Sequence, residues 1–251
     1  MANRFEGKSA VVTGAASGLG RAVAQRLASE GAAVHGVDLN EAGLAETREL
    51  VTAAGGTMSV ATADISDRMS AHGVIADAMD QMGRLDVLCN VAGVLRAGHV
   101  TDFTEADFDL VFGVNVAGTF WMSQAALPHL LDAEGNIVNV ASNAGLMGTA
   151  YTAVYAASKG AVVQLTRSMA MEYAKRKIRI NAVAPGGIQT PMAAATAFPD
   201  DTDWKLVEPC MGFRPMSHAE DIAAVVAFVA SPEAAAVHGA IFSADSGLTA
   251  G

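Results

Sequence analysis

Little in this chain suits it to bind metal, form disulfides or grip nucleic acid. Only two cysteines occur in 251 residues, Cys89 and Cys210. The opening stretch Met1–Lys8 lacks an apolar signal core, so both are expected to be reduced thiols and not a disulfide framework. The six histidines, His35, His72, His99, His129, His218 and His238, show no ligand spacing, and no metal is expected. Positive charge is scarce: 16 Lys and Arg against 26 Asp and Glu leave a net charge of −10, which excludes the basic face of a nucleic-acid binder. The one basic cluster, Lys175, Arg176, Lys177 and Arg179, falls at the end of a predicted helix and complements its dipole there. No uninterrupted apolar run reaches membrane-spanning length, so the expected address is cytoplasmic, with no membrane partner. Repeats and low-complexity blocks are also absent, and aromatics make up only 6%.

Small apolar residues are abundant instead. Hydrophobic residues reach 51% and charged ones 17%, enough for a large buried core in one domain spanning residues 1–251. Short apolar runs alternate with helical patterns along the whole chain. Strands are predicted at Ser9–Val12, Ala33–Val37, Met58–Ala63, Leu85–Cys89, Asn136–Ala141, Arg179–Ala184 and Ala240–Ser243. Helices are predicted at Gly18–Glu30, with Gly31 ending it, and at Glu41–Ala54. Further helices start near Thr104 (a Thr104-x-x-Asp107 capping box), span about Thr152–Lys177, and run from a Ser217-x-x-Glu220 cap to Ala230. This is an α/β pattern: a doubly wound, Rossmann-like parallel sheet of about seven strands with helices on both faces. Ligands of such sheets bind beyond the strand C-termini, where Thr13, Asp38, Asp64, Asn90, Ser142 and Pro185 all fall.

The chemistry concentrates in two places. The turn Thr13-Gly14-Ala15-Ala16-Ser17-Gly18-Leu19-Gly20 follows a strand and opens a helix, the context a dinucleotide fingerprint requires. Its glycines allow a tight turn and close approach, and the helix start offers free N–H groups to phosphate. Asp38 lies 18 residues after Gly20, near the offset at which a carboxylate holds a ribose, although it could also serve as a helix N-cap. Asp38, the neutral Leu39 beside it and Ser17 in place of a basic residue in the glycine turn all favour NAD over NADP. The second place is Tyr155-Ala156-Ala157-Ser158-Lys159, in which one helical turn puts a phenol and an ammonium on one face. A free tyrosine, with a pKa of about 10, is a poor base; a nearby cation is expected to bring it toward working range.

In this order, these motifs resemble the short-chain dehydrogenase/reductases over essentially the full length of the chain. The glycine turn is similar to the family's T-G-x-x-x-G-x-G and Tyr155-x-x-x-Lys159 to its Y-x-x-x-K. Asn90-Val91-Ala92-Gly93 resembles its N-N/V-A-G segment, and Pro185-Gly186-Gly187-Ile188-Gln189-Thr190 its P-G-x-I-x-T stretch. Asn115 aligns with the family's catalytic asparagine, and Ser142 has the usual serine-to-tyrosine separation, 13 residues before Tyr155. Asp245-Ser246-Gly247 departs from the family's D-G-G, which bears on a turn and not on the chemistry.

The resemblance implies an NAD-dependent oxidoreductase that interconverts a secondary alcohol and a ketone. Tyr155 would be the general acid/base. Lys159 would lower its pKa and hold the nicotinamide ribose, Ser142 would polarise the reacting oxygen, and Asn115 would position a relay water. Implied cofactor contacts are Gly14, Ser17, Gly18, Leu19, Gly20, Asp38 and Leu39 at the turn and ribose, and Asp64 and Ile65 at adenine. Asn90, Ala92 and Gly93, then Pro185, Gly186, Ile188 and Thr190, would line the ribose and nicotinamide end. A homotetramer is implied as well.

The segment at about 188–217, chiefly Met192–Ser217, is expected to bind the substrate. Its Phe198, Trp204, Met211, Phe213 and Met216 suit a bulky hydrophobic alcohol, steroid-like in character. Leu95, Arg96, Asn143, Met147 and Tyr151 are further candidate pocket residues, with Arg96 available to a substrate carboxylate. Two alternatives stand beside this reading: a 3-oxoacyl thioester reductase, which Asp38 disfavours, and a non-catalytic NAD-binding sensor, which the intact Ser142/Tyr155/Lys159 set disfavours.

Overall fold

The computed structural model describes residues 3–250. Seven strands form one parallel sheet: β1 (Ser9–Thr13), β2 (Ala33–Asp38), β3 (Thr57–Thr62), β4 (Val87–Asn90), β5 (Asn136–Val140), β6 (Arg179–Pro185) and β7 (Ile241–Ala244). Their spatial order is β3-β2-β1-β4-β5-β6-β7, so the winding reverses between β1 and β4 and opens a crevice at the strand C-termini. The doubly wound sheet expected from the sequence is therefore the architecture found.

Helices α1 (Gly18–Ser29), α2 (Glu41–Ala53) and α9 (Ala219–Ala230) cover one face over a core that includes Val12, Leu27, Leu44 and Val226. The other face carries α3 (Arg68–Met82), α4 (Glu105–Phe112), α5 (Thr119–Asp132) and α6 (Ala153–Glu172), with Ile75, Leu88, Met122 and Ile137 beneath them. Two short helices, α7 (Pro191–Ala195) and α8 (Trp204–Met211), cross the crevice after β6.

Several predicted boundaries move. The sequence reading had no helix between β3 and β4, yet α3 is there, with Ala71, Val74, Ile75 and Ala78 at i, i+3, i+4 and i+7 as its buried stripe. Strand β4 begins at Val87 rather than Leu85; Asp86 just before it still bonds both neighbours through its backbone, to Ser9 O and from Asn136 N, while its carboxylate takes Lys8, Arg84 and the Ser9 N–H. Helix α6 stops at Glu172, so Lys175–Lys177 lie in the turn beyond it and Lys177 pairs with Glu134 at 2.7 Å. Arg179 does meet a helix C-terminus, but that of α9: it donates to the carbonyls of Val229, Ala230 and Ser231, and to Ala234 just past them. The cap of α9 sits one residue later than expected, at His218 with Asp221.

The Thr104/Asp107 capping box forms as read. The long helix it starts is interrupted by a π-helical stretch, Gly113–Gly118, before continuing as α5. By length and average composition alone, Glu105–Asp132 would suffice to cross a membrane, although polar residues interrupt it throughout. Here it is a helix of the fold, with Met122, Ala126 and Leu130 fully buried against the sheet side.

One buried group makes stability depend on pH. His35 in β2 is fully enclosed; its Nδ1 meets Ser59 Oγ at 2.8 Å and its Nε2 has no partner. Burial pulls its pKa below the ordinary 6.5, against the opposing charge of Asp77. The unfolded chain takes up this proton first as pH falls, so the stability His35 contributes is complete above 6.5 and is lost in the window between 6.5 and its lower folded value. The wild-type Tm should therefore fall more steeply than that of His35→Leu between about pH 7.5 and 5.5; parallel slopes would assign the acid limb to other groups.

Candidate active site

The crevice holds a cavity of about 560 Å³. At one end, the chain leaves β1 through the glycine turn. Gly14 has φ +70, and a side chain there would meet the Ala92 backbone at 2.9 Å. Thr13 Oγ1 accepts the N–H groups of Val91 and Ala92 at 2.9 and 3.0 Å and ties the turn to the segment after β4. Ser17 occupies the N-cap of α1 without a side-chain cap bond, so the helix start offers free donors beside the cavity. The Asp38 carboxylate accepts from Ala16 N at 3.2 Å and Asn40 N at 3.0 Å. It braces the turn and is not the cap of α2, which is Asn40. Each oxygen retains capacity for a further hydrogen bond.

Tyr155 and Lys159, both on α6 and both buried, line the far wall with Ser142, which follows β5. Lys159 Nζ donates to the Val140 carbonyl at 2.9 Å and stands 5.8 Å from the centre of the Tyr155 ring. Burial lowers the Lys159 pKa to about 8, so it remains a cation at neutral pH. Burial also raises the Tyr155 phenol above its ordinary 10, while a hydrogen bond from Ser142 pulls the other way. The sequence expectation of a phenol lowered by Lys159 is not met in the chain by itself: burial dominates, and the opposing pull comes from Ser142.

Of the residues expected from the sequence to hold cofactor or do chemistry, all line this cavity except Asn90 and Asn115. The Asn90 side chain turns inward to Ser123 and Asn139. Asn115 sits in the π-helical stretch with both amide hydrogens engaged, one on Val94 O at 3.0 Å and one on Ser158 Oγ at 2.9 Å, while its Oδ1 accepts from Val94 N. Its amide ties the β4 loop to α6.

Among the other candidates, Leu95, Asn143, Phe198, Met211 and Met216 line the cavity, whereas Arg96, Met147, Tyr151, Trp204 and Phe213 do not. Arg96 bonds the Leu95 carbonyl and faces Asp107 instead of the pocket. The sequence reading missed Val94, Leu110, Thr152, Val207 and Cys210, whose place in the wall depends on how the covering segment folds.

That segment is fastened through Tyr151 and His99, and Cys210 Sγ on α8 also bonds the Gly148 carbonyl at 3.7 Å. The Tyr151 hydroxyl accepts the N–H of Asp203, the N-cap of α8, at 2.9 Å, and His99 meets Asp201 at 2.9 Å. The rings of His99 and Phe198 both pack edge-on to Tyr151, whose backbone is left-handed with φ +62.

Residues 8–199 match the family described as short chain dehydrogenase. The chain belongs to that family. One relative, a meso-2,3-butanediol dehydrogenase of Serratia marcescens, is 39% identical over 250 residues, covering 98% of this chain and 96% of its own. Among solved structures, a short chain dehydrogenase from Mycobacterium paratuberculosis bound to NAD aligns with a TM-score of 0.92 at 34% identity, covering 99% of this chain and all of its own. A family member from Burkholderia cenocepacia in complex with NADP aligns with a TM-score of 0.88 at 33% identity, over 98% of this chain and 99% of its own. The family thus accepts either dinucleotide, and the choice in this chain rests on its own residues.

Proposed function

We propose that this oxidoreductase is NAD-dependent and interconverts a secondary alcohol and a ketone. The observation that carries the reading is one cavity with the glycine turn and Asp38 at one end and Ser142, Tyr155 and Lys159 along its wall. The turn fits a dinucleotide: a close-approach glycine, free N–H groups at the start of α1 and a carboxylate at the end of β2. Asp38 would accept the ribose hydroxyls and repel a 2′-phosphate. Arg21, the nearest candidate to offset that repulsion, is already bound to Ala16 O, Thr47 and Glu46.

A bound nicotinamide supplies the hydride acceptor or donor. Tyr155 takes the hydroxyl proton of the alcohol and returns it to the carbonyl oxygen in the reverse direction. Ser142 hydrogen-bonds the same oxygen. Lys159 has one donor on Val140 O and two left for cofactor hydroxyls. Asn115, by holding Val94 and Ser158, keeps the β4 loop at a fixed distance from Lys159. The raised Tyr155 pKa favours oxidation at alkaline pH.

The cavity wall is apolar toward the covering segment, with Phe198, Val207 and Met216, which supports an alcohol with hydrocarbon faces. Because the same volume must take cofactor and substrate, a compact alcohol suits it better than a steroid. Exposed Phe108, Phe120 and Met171 on α4, α5 and α6 support the expected tetramer through those helices.

The test is NADH formation from a panel of secondary alcohols, with NAD and NADP in parallel. Turnover is expected with NAD, and Asp38→Ala should shift the preference toward NADP by about tenfold or more. Equal use of both dinucleotides by the wild type would refute the assignment of Asp38, and no turnover of any alcohol would refute the activity.

A further inference from the structure

Tyr151 does not line the cavity, yet Ala150 and Thr152 on either side of it do. Its backbone is left-handed, with φ +62, a conformation a tyrosine keeps only where its surroundings impose it. Glycine would sit at this position without strain, so the strain points to a use for the side chain. That use is visible in the contacts. The Tyr151 hydroxyl accepts the N–H of Asp203, where α8 begins, at 2.9 Å, and the Tyr151 carbonyl accepts the N–H of Gly98 at 2.8 Å. The His99 and Phe198 rings stand edge-on to the Tyr151 ring, with centroids 5.3 and 6.5 Å away.

Tyr151 and these partners come from three separate stretches of chain. Gly98 and His99 lie on the loop after β4, Tyr151 just before α6, and Phe198 and Asp203 on the covering segment. Each stretch supplies part of the cavity wall: Leu95 from the first, Thr152 from the second, Phe198 and Val207 from the third. Phe198 belongs to both settings, since one ring packs on Tyr151 and also lines the cavity. Tyr155 follows Tyr151 by four residues, past Thr152 at the N-cap of α6, so the junction ties the cover to the part of α6 that carries the phenol. Resting on the alcohol dehydrogenase reading above, we infer that Tyr151 is a positioning residue: it sets the gap between the covering segment and Tyr155, and with it the size of alcohol the site accepts. Tyr151 itself touches neither substrate nor cofactor; what it places is Phe198. With its contacts intact, that wall stands at one distance from the phenol and holds a bulky alcohol out of line with it. With them lost, the wall yields to a larger group.

The experiment compares the wild type, Tyr151→Phe and Tyr151→Gly on secondary butanol and its terminally phenyl-substituted analogue, with NAD. Tyr151→Phe deletes the acceptor for Asp203 and keeps the ring. Tyr151→Gly deletes the ring as well but suits φ +62, so the backbone before α6 stays in place. KM for the butanol should rise about threefold in Tyr151→Phe and about tenfold in Tyr151→Gly, with kcat and NADH affinity held within about threefold. The ratio of kcat/KM for the phenyl analogue to that for the butanol should rise in the same order. A role in folding alone would act on both alcohols equally and leave that ratio where it was. An unchanged ratio in Tyr151→Gly, or NADH affinity lost in step with the rise in KM, overturns the inference and leaves the alcohol dehydrogenase reading intact. Failure of the wild type to oxidise either alcohol would overturn both.

Discussion

Tyr155→Phe is expected to lower turnover by about three orders of magnitude while leaving dinucleotide affinity within a factor of two or three. The substitution removes one oxygen from a ring that is 8% exposed, so packing against its neighbours in α6 is kept. What disappears is the only phenol on the cavity wall beside Ser142 and Lys159. Neither neighbour replaces it as a base: Ser142 is a neutral hydroxyl already bonded to Asn143, and Lys159 remains protonated below about 8. The glycine turn and Asp38 lie at the other end of the cavity and should bind as before. Steady-state kinetics and a fluorescence titration with NADH would read the two quantities separately. Turnover retained within tenfold would remove Tyr155 from the acid–base role; lost affinity would make it a binding residue instead.

Among the described glycines, Gly20→Ala should be the most damaging methyl addition. A β-carbon there would lie 2.0 Å from the Gly14 carbonyl oxygen and 2.4 Å from its carbon. Both are backbone atoms, so no side-chain rotation relieves the clash. Either the first turn of α1 or the glycine turn must move, and Thr13 ties that turn to the segment after β4. The expected cost is about 2–3 kcal/mol of stability, a fall of several degrees in Tm, with dinucleotide affinity weakened at least about tenfold. Thermal melts with and without NAD would measure both. A variant with wild-type Tm and affinity would show that α1 and the turn need not approach so closely.

What the sequence made legible is what backbone chemistry punctuates. Glycines 14, 18 and 31 marked the β1–α1 unit because few other residues take their positive φ, and Gly20 because a β-carbon there has no room beside Gly14. The capping box at Thr104 marked α4 through a reciprocal pair of hydrogen bonds. Helix α3 was missed although its buried stripe keeps a helical period, because that stripe is only four residues, two of them alanine; the break at Asn115 was missed because a π-helical stretch has no hydrophobic period of its own. The site was readable wherever a motif fixes a backbone position relative to the sheet. It was not readable where a side chain chooses between cavity and interior: Asn90 and Asn115 sit at motif positions, yet their amides satisfy partners inside the protein. The same limit hid Val207 and Cys210, which reach the cavity only because α8 folds back across it.

The fastening of that covering segment bears on timing. Tyr151 holds it from a left-handed backbone that costs a non-glycine residue about 1–2 kcal/mol, and the other clasp is an ion pair between exposed side chains. The Phe198 ring on Tyr151 and the Cys210 Sγ contact with Gly148 O add to these ties, so the cover rests on a small number of contacts over a strained support. Where a cover of this kind limits an enzyme, the pace of the cycle is set by how fast product escapes beneath it rather than by the bond-making step.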